Sequence, residues 1–389
     1  MNVKTAFLII LCLNFGFSGA IKWLSLQNSH LVWNHGVGGM GGSVSGGSEG
    51  GGGRGIRSGV KSPCSIARRR YGLAKLQTKL CRSSMDAMPY VQAAAALAAE
   101  TCKAMFSDRR WNCTSIDTAP FLTPDLTRAT REQAYVYAIS SAAITYTMAR
   151  ACASGNLYQC ACAVPPREPP MGNFKWGGCG DNIKWGMHFA KRFVDTIEKQ
   201  NARKPPDGEP EDKKISAKMR TYTAAVNLHN NKIGRKVIGE SLSTQCKCHG
   251  VSGSCSIKTC WRAIPDLRAV GERLLRRFTN AKEIQKSYMV FENDIPEVPV
   301  RRSVSDQLVF LTKSPDYCTK DERLGSIGTT GRTCNVTSNG TDSCRQLCCG
   351  RGYRTVVEEK IERCQCKYYY CCYVKCKTCR SLTQRHECS

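Results

Sequence analysis

Fifteen residues, Cys246-Lys-Cys-His-Gly-Val-Ser-Gly-Ser-Cys-Ser-Ile-Lys-Thr-Cys260, place four cysteines around a small polar tip, Gly250-Val-Ser-Gly-Ser254. Nested crosslinks, Cys246 to Cys260 and Cys248 to Cys255, would turn the segment into a rigid hairpin with a serine held out at its end. Closing a loop of that size removes about 3 kcal/mol of unfolded-chain entropy, enough to hold a finger that has no core of its own. Two readings of Ser252 follow from its neighbours. As a nucleophile it has His249 nearby and Gly250 two residues before it, half of a Gly-x-Ser-x-Gly elbow. The elbow fails at position 254, which is serine, and an exposed fingertip offers neither an oxyanion hole nor a buried acid. As a turn residue it needs no function, since Gly and Ser make good turns.

A second constellation is Tyr368-Tyr-Tyr-Cys-Cys-Tyr373. Adjacent cysteines bonded to each other would form a small exposed ring, and the tyrosines around it supply rigid, amphipathic contact area of the kind that anchors interfaces. The alternative is that Cys371 and Cys372 bond elsewhere. Zinc is a third use of cysteine here, at Cys376-Lys-Thr-Cys379 and at the Cys-x-Cys pairs 160/162 and 364/366. There is no regular Cys-x-x-Cys repeat and few histidines stand near these pairs, so no metal is expected.

These segments need a compartment and a scaffold. Lys4, the apolar run 6–17 and the small residues Ser18-Gly19-Ala20 read as a secretory signal over residues 1–20. The run is too short to span a bilayer, and the best later candidate, residues 134–149, is broken by serines, threonines and tyrosines. Of 25 cysteines, Cys12 leaves with the signal and an even 24 remain, which in an exported chain reads as a disulfide framework. The net charge is +26, with basic pairs and triplets at 68–70, 109–110, 276–277 and 301–302 and again at Lys375, Lys377 and Arg380. Outside the cell the matching polyanion is a sulfated glycosaminoglycan and not nucleic acid, and a solvated basic surface is the alternative.

The organisation follows from composition. Residues 21–63 read as a flexible N-terminal segment, dominated over 36–59 by glycine and serine. Residues 64–300 read as a mainly α-helical domain carrying the hairpin, with helical spacing over 85–106, 126–150, 182–199, 216–242 and 266–278 and a solvent-exposed loop at 199–214. Trp176, Trp185, Phe189 and Phe193 are expected in its core. Residues 294–300 contain prolines and read as non-helical, and 301–317 as a linker. The last segment, 318–389, holds 12 cysteines in 72 residues and should be short strands and loops stapled by disulfides. Asn335-Val-Thr and Asn339-Gly-Thr are sequons in a loop-like stretch, and Asn112-Cys-Thr is formally a third.

From about residue 64 onward the chain resembles the Wnt family of secreted, lipid-modified signalling proteins. The resemblance rests on the 246–260 segment together with Arg110-Trp-Asn-Cys113, Trp176-Gly-Gly-Cys179 and Cys348-Cys-Gly-Arg-Gly-Tyr353. The stretches Thr130-Arg-Glu-Gln-Ala-Tyr-Val-Tyr137 and 335–344 look most like the Wnt eleven subgroup. It implies a two-domain fold of the kind outlined above, no catalytic activity, no cofactor, and a palmitoleate ester on Ser252 added in the endoplasmic reticulum by the acyltransferase Porcupine. It implies Wntless as the carrier through the Golgi, and release to the extracellular space and matrix. There the partners would be the cysteine-rich domain of Frizzled, LRP-type or Ror/Ryk-type co-receptors, and heparan sulfate proteoglycans. The subgroup is associated mainly with β-catenin-independent signalling in polarity and cell movement.

By the same resemblance, Lys247, His249, Gly250, Val251, Gly253 and Ser254 would touch the receptor beside the lipid. Tyr369, Tyr370, Cys371, Cys372 and Tyr373 would form a second gripping finger. Many family members have His-Trp where this chain has Tyr369-Tyr370. The implied pairings are Cys102–Cys113, Cys152–Cys160, Cys162–Cys179, Cys318–Cys349, Cys334–Cys344, Cys348–Cys388, Cys364–Cys379, Cys366–Cys376 and Cys371–Cys372, leaving Cys64 for Cys81. Two other classes, a secreted disulfide-rich hydrolase using Ser252 and a structural matrix protein, stand as alternatives.

Overall fold

The computed structural model describes residues 21–33, 62–168, 170, 174–202, 211–285, 290–292, 295–298 and 305–389. The signal segment 1–20, the Gly-rich tract 36–59, much of the 199–214 loop and the basic pair 301–302 lie outside the described residues. Two compact units divide the chain: one of residues up to Cys102 with Ser115–Ser314, the other of Lys103–Thr114 with Pro315–Ser389. This differs from the division drawn by composition, because a short segment of the helical half belongs with the tail, and 305–314 belongs with the helices.

The first unit is built around one helix. In chain order its helices are α1 (Pro63–Arg70), α2 (Lys75–Ser83), α3 (Met88–Phe106), α4 (Arg131–Ala153), α5 (Ile183–Ala190), α6 (Thr196–Asn201), α7 (Glu211–Glu240) and α8 (Leu267–Thr279). Its strands are β1 (Phe174–Trp176), β2 (Ser243–Cys248), β3 (Lys258–Ala263), β4 (Lys282–Glu283), β5 (Val290–Glu292), β6 (Ile295–Glu297) and β7 (Val309–Phe310). Thr130 caps α4 by accepting from the Gln133 amide, with Glu132 in the first turn and Arg150 in the last, as the helix dipole favours. The sequence suggested one apolar face for this helix. Instead it is buried on all sides from Glu132 to Ala149. Thr145 and Thr147 fit because their hydroxyls return to the carbonyls of Ser141 and Ile144 at 2.9 and 3.2 Å. No helix among the described residues is long and apolar enough to cross a membrane.

Residues 21–33, expected as part of a flexible segment, are a correction. Lys22–Asn28 is a 3-10 turn whose Trp23, Leu24 and Leu26 are fully buried, Trp23 packing edge-on against Phe193 at 5.5 Å. Trp33 Nε1 donates to Gln92 Oε1 at 2.7 Å, which ties the segment that follows to α3. Apolar burial overrides the adjacency of the glycine tract. Residues 295–297, read as non-helical, form β6 against β5. Phe189 and Phe193 are buried, whereas Trp176 and Trp185 are only half-buried.

Between α5 and α6 the helix makes one π turn, Lys191–Asp195. A single extra residue of this kind re-aims the chain, and it turns Phe193, Val194 and Asp195 inward together. Asp195 then accepts from Arg235 Nη2 at 2.7 Å and from Asn231 Nδ2 at 3.1 Å, while Arg235 also reaches Ser141 Oγ at 2.9 Å. One turn on, Glu198 accepts from the Tyr137 hydroxyl and from Asn227 Nδ2, both at 3.1 Å. Burial, with Asp195 adding to it, pushes the Glu198 carboxyl up from 4.5 to about 7 against the opposing effect of those hydrogen bonds. An acid raised on folding stabilises the protein fully below its unfolded value and loses that contribution as pH rises through the folded one. Denaturant titrations at pH 5 and pH 8 are therefore expected to show lower stability at pH 8, by about 3 kcal/mol from this group. Glu198→Gln should flatten that difference, and an unchanged difference in the variant would assign it to other groups.

In the second unit, disulfides do the work of a core. Cys334–Cys344 and Cys348–Cys388 lie in contact, Sγ of Cys348 being 3.5 Å from Sγ of Cys334, and with Leu347 they form a small buried cluster. These buried sulfurs are the only grouping among the described residues with the spacing of a metal site, and all are bonded in disulfides. Strand β10 (Thr333–Cys334) and the helical turn α9 (Cys344–Leu347) contribute residues to this cluster, and the short strands β8 (Lys320–Asp321) and β9 (Ser326–Ile327) pair with each other. From it a long hairpin projects, β11 (Tyr353–Tyr369) and β12 (Tyr373–Cys388), with most of its side chains exposed. Arg332 explains why 103–114 joins this unit: its guanidinium donates to the carbonyls of Ser107, Arg109 and Arg110 at 2.9, 2.6 and 2.8 Å. Trp111 is buried there against Phe106.

Candidate functional site

Strands β2 and β3 pair antiparallel from Ser243↔Ala263 to Cys248↔Lys258, which sets Cys246 directly opposite Cys260. The structure joins these two and, above them, Cys248 to Cys255. The hairpin is rooted from one side. β1 pairs parallel with β3, Trp176 opposite Cys260, and the Ile264 amide donates to Asp181 Oδ2 at 2.7 Å. Arg262 lies over the Trp176 ring at 5.4 Å, and the Cys162–Cys179 bridge closes the segment that carries β1. Trp176 thus supports the finger's base and is not a core residue. Its burial class could not be read from an aromatic side chain in a Gly-Gly context.

The tip is closed by the backbone. His249 N donates to Ile257 O at 2.7 Å, Gly250 N to Ser254 O at 2.8 Å, Gly253 N to Gly250 O at 3.0 Å and Ser254 N to Val251 O at 3.1 Å. Gly250 suits this turn, since a Cβ would fall 2.6 Å from the backbone oxygen of Ser254, which cannot rotate away as the nearby serine hydroxyls can. Ser252 sits at the apex with φ 56° and ψ 27°, in the left-handed region that costs an L-residue about 1–2 kcal/mol. Gly253 follows at φ 78°. The Ser252 hydroxyl is exposed and makes no hydrogen bond to any described residue, and Val251 beside it is 90% exposed. Lys247, Gly253 and Ser254 are also exposed, with Gly250 half-buried. His249 Nε2 pairs with Thr259 Oγ1 at 3.1 Å, and Ser254 Oγ pairs with Ser256 Oγ at 3.1 Å. Neither engages Ser252, so no nucleophile–base pair forms. The geometry presents a free primary hydroxyl on a stiff, solvent-facing loop.

The second constellation caps the long hairpin. Cys364–Cys379 and Cys366–Cys376 cross its strands, with a register shift between Cys364 and Lys367. Tyr369 and Tyr373 are paired residues whose rings stack at 5.3 Å, and Tyr370 is 96% exposed. The Cys371–Cys372 bond expected above is not present: both are exposed free thiols. The three-residue turn places Cys371 at φ 81° to keep Tyr369 opposite Tyr373. A hydrogen bond with Cys371 pushes the Cys372 thiol up from its usual value.

The remaining bridges are Cys64–Cys81, Cys152–Cys160 and Cys318–Cys349, and Cys102 and Cys113 are each disulfide-bonded. Asn335 and Asn339 are exposed, Asn335 accepting from the Thr337 amide and hydroxyl at 3.0 and 2.9 Å. Asn112 is half-buried, its side-chain oxygen accepting from the Thr114 hydroxyl at 2.9 Å.

A family model described as the wnt family matches residues 69–389. Protein Wnt-11b-1 of Xenopus tropicalis is 43% identical over 385 residues, covering 98% of this chain and 97% of that protein. Protein Wnt-11 of Gallus gallus is 42% identical over 341 residues, covering 84% of this chain and 91% of its own. Among solved structures, that of human WLS in complex with WNT8A matches with a TM-score of 0.50 and 32% identity, covering 79% of this chain and 94% of the matched one.

Proposed function

The chain belongs to the Wnt family, and from that premise we propose that it is a secreted, acylated ligand of Frizzled receptors. Members of the family are signalling ligands and not enzymes. Ser252 would carry a palmitoleate ester, added by Porcupine. The 246–260 hairpin would present that chain to the Frizzled cysteine-rich domain, and the 364–379 loop with Tyr369, Tyr370, Cys371, Cys372 and Tyr373 would make the second contact. The observation that carries this reading is the Ser252 hydroxyl, free and exposed at the apex of a doubly bridged finger. WNT8A has been solved with WLS, and the same kind of carrier is proposed for this chain during export. The similarity to Wnt-11 proteins supports signalling mainly through the β-catenin-independent branch, with Ror/Ryk-type or LRP-type co-receptors, heparan sulfate proteoglycans in the matrix, and N-glycans at Asn335 and Asn339.

Mass spectrometry of the secreted protein across residues 246–260, wild type beside Ser252→Ala, tests the modification. A palmitoleoyl increment on Ser252 that is absent from the variant is expected. An unmodified serine in a protein that still binds Frizzled would overturn the reading and leave the hairpin as a protein-only contact.

A further inference from the structure

Between the α5–α6 stretch and α7 runs an open groove of about 940 Å³. Lys184, Lys191 and Lys199 line one wall at spacings of seven and eight residues. Two helical turns take about seven residues, and the π turn absorbs the eighth, so the three lie in a row. At about 1.5 Å rise per residue the row is roughly 22 Å long. Lys232, on α7, faces them, and the floor includes Met187 and Leu228. Other charges at the groove are already matched: Arg235 with Asp195 at 2.7 Å, Glu240 with Arg277 at 2.6 Å, and Lys236 with Asp306. Lys184, Lys191, Lys199 and Lys232 are exposed, and none has an ion-pair partner among the described residues. Four ammonium groups with no ion-pair partner among the described residues, set along one trench, repel one another and draw in anions.

We propose that this groove binds an elongated sulfated glycan through Lys184, Lys191, Lys199 and Lys232. The spacing decides between ligand chemistries. A single anionic headgroup would satisfy one or two of these lysines, whereas a row spaced roughly 10 Å apart matches anions that repeat along a stiff chain. The apolar floor and the lysine stems suit the C–H faces of sugar rings, leaving sulfates at the rim. The proposal rests on the reading above, which already counts heparan sulfate proteoglycans among the partners, and deepens it by assigning them a site. Neither the 68–70 triplet nor the 109–110 pair lines the groove. Its lysines are scattered residues that two helices bring together.

The test uses the full-length secreted protein and heparin as the probe. Lys184, Lys191, Lys199 and Lys232 are all replaced by Gln, and a charge-matched control replaces the exposed Arg68, Arg69, Arg70 and Lys79 of α1 and α2 by Gln. Heparin affinity in about 0.15 M salt should fall roughly ten-fold in the groove variant, with a shallower salt dependence, and little in the control. Equal losses in both variants would overturn the proposal in favour of diffuse charge, and so would no loss in either. A groove variant that keeps heparin but loses anionic phospholipid vesicles would also overturn it, making the groove an amphiphile site. Frizzled-domain binding, measured in parallel, should be unchanged in both, so failure here is separable from failure of the lipid-ligand reading.

Discussion

Replacing Ser252 with alanine is expected to weaken binding to a Frizzled cysteine-rich domain at least about a thousand-fold, a loss of ~4 kcal/mol. Burying an acyl chain contributes about 0.8 kcal/mol per methylene, of order 10 kcal/mol gross, and part of that is offset by ordering the chain and the two proteins. The finger itself has little else to bind with: its tip is Gly and Ser, with Val251 the one large apolar side chain at the apex. The variant should leave the hairpin intact, because the bridges Cys246–Cys260 and Cys248–Cys255 and the tip's backbone hydrogen bonds do not involve the hydroxyl. Ser254→Ala is the companion variant. Its hydroxyl is turned to Ser256 at 3.1 Å, so its loss should change affinity only a few-fold. Calorimetric titration of both variants, with matching thermal midpoints as the folding control, decides the matter. Binding by Ser252→Ala within ten-fold of wild type would sink the lipid-anchored mechanism.

Gly234→Ala is expected to be the most damaging single methyl group that can be added to the helical unit. A Cβ at this position would lie 2.0 Å from the carbonyl oxygen of Ala138, 2.7 Å from its carbonyl carbon and 2.9 Å from its Cα. All three are backbone atoms of α4, so no side chain can rotate away. Relief requires α4 and α7 to separate, and α4 is enclosed on all sides. The Asp195–Arg235 pair would be stretched by the same displacement, since Arg235 is the next residue and bridges to Ser141 on α4. Overpacking a tight core costs about 1–3 kcal/mol and more where the backbone must move, and partly breaking a buried ion pair adds to it. A loss of at least ~3 kcal/mol, read as a lowered denaturation midpoint and a sharply reduced secreted yield, is the expected outcome. Gly239→Ala provides the contrast on the same helix. Its Cβ would meet only Met187 Cε, at 3.2 Å, the far end of a flexible side chain. Equal stability of the two variants would show that the helices can part without cost.

Several features of the molecule could be read locally. The helical character of residues 85–106, 182–199, 216–242 and 266–278 was visible because each segment's apolar spacing repeats within a few turns. The cystine-rich character of the tail was visible because cysteine density there leaves no room for an apolar core. Other features depend on partners remote in sequence. Trp23 is buried because Phe193 lies above it, and nothing in the neighbouring Gly-rich tract signals that. The segment 103–114 belongs with the tail because Arg332, more than two hundred residues later, gathers its carbonyls. The π turn that aims Asp195 inward has no propensity signature, and the groove lysines form a row only after two helices pack.

By itself, then, the sequence determined the class of the molecule: a disulfide-framed chain with a helical half, a cystine-rich half, and a serine within a four-cysteine segment. Those properties are local, set by residue type and short spacing, and they survive whatever the rest of the chain does. The tertiary structure alone decided the left-handed apex that turns Ser252 outward, the parallel strand β1 that roots its finger, and the free thiols of Cys371 and Cys372. It also decided the buried acid network and the row of lysines along the groove. Each of these depends on backbone conformation or on charges facing one another across distant segments, and such contacts exist only once the chain has closed on itself.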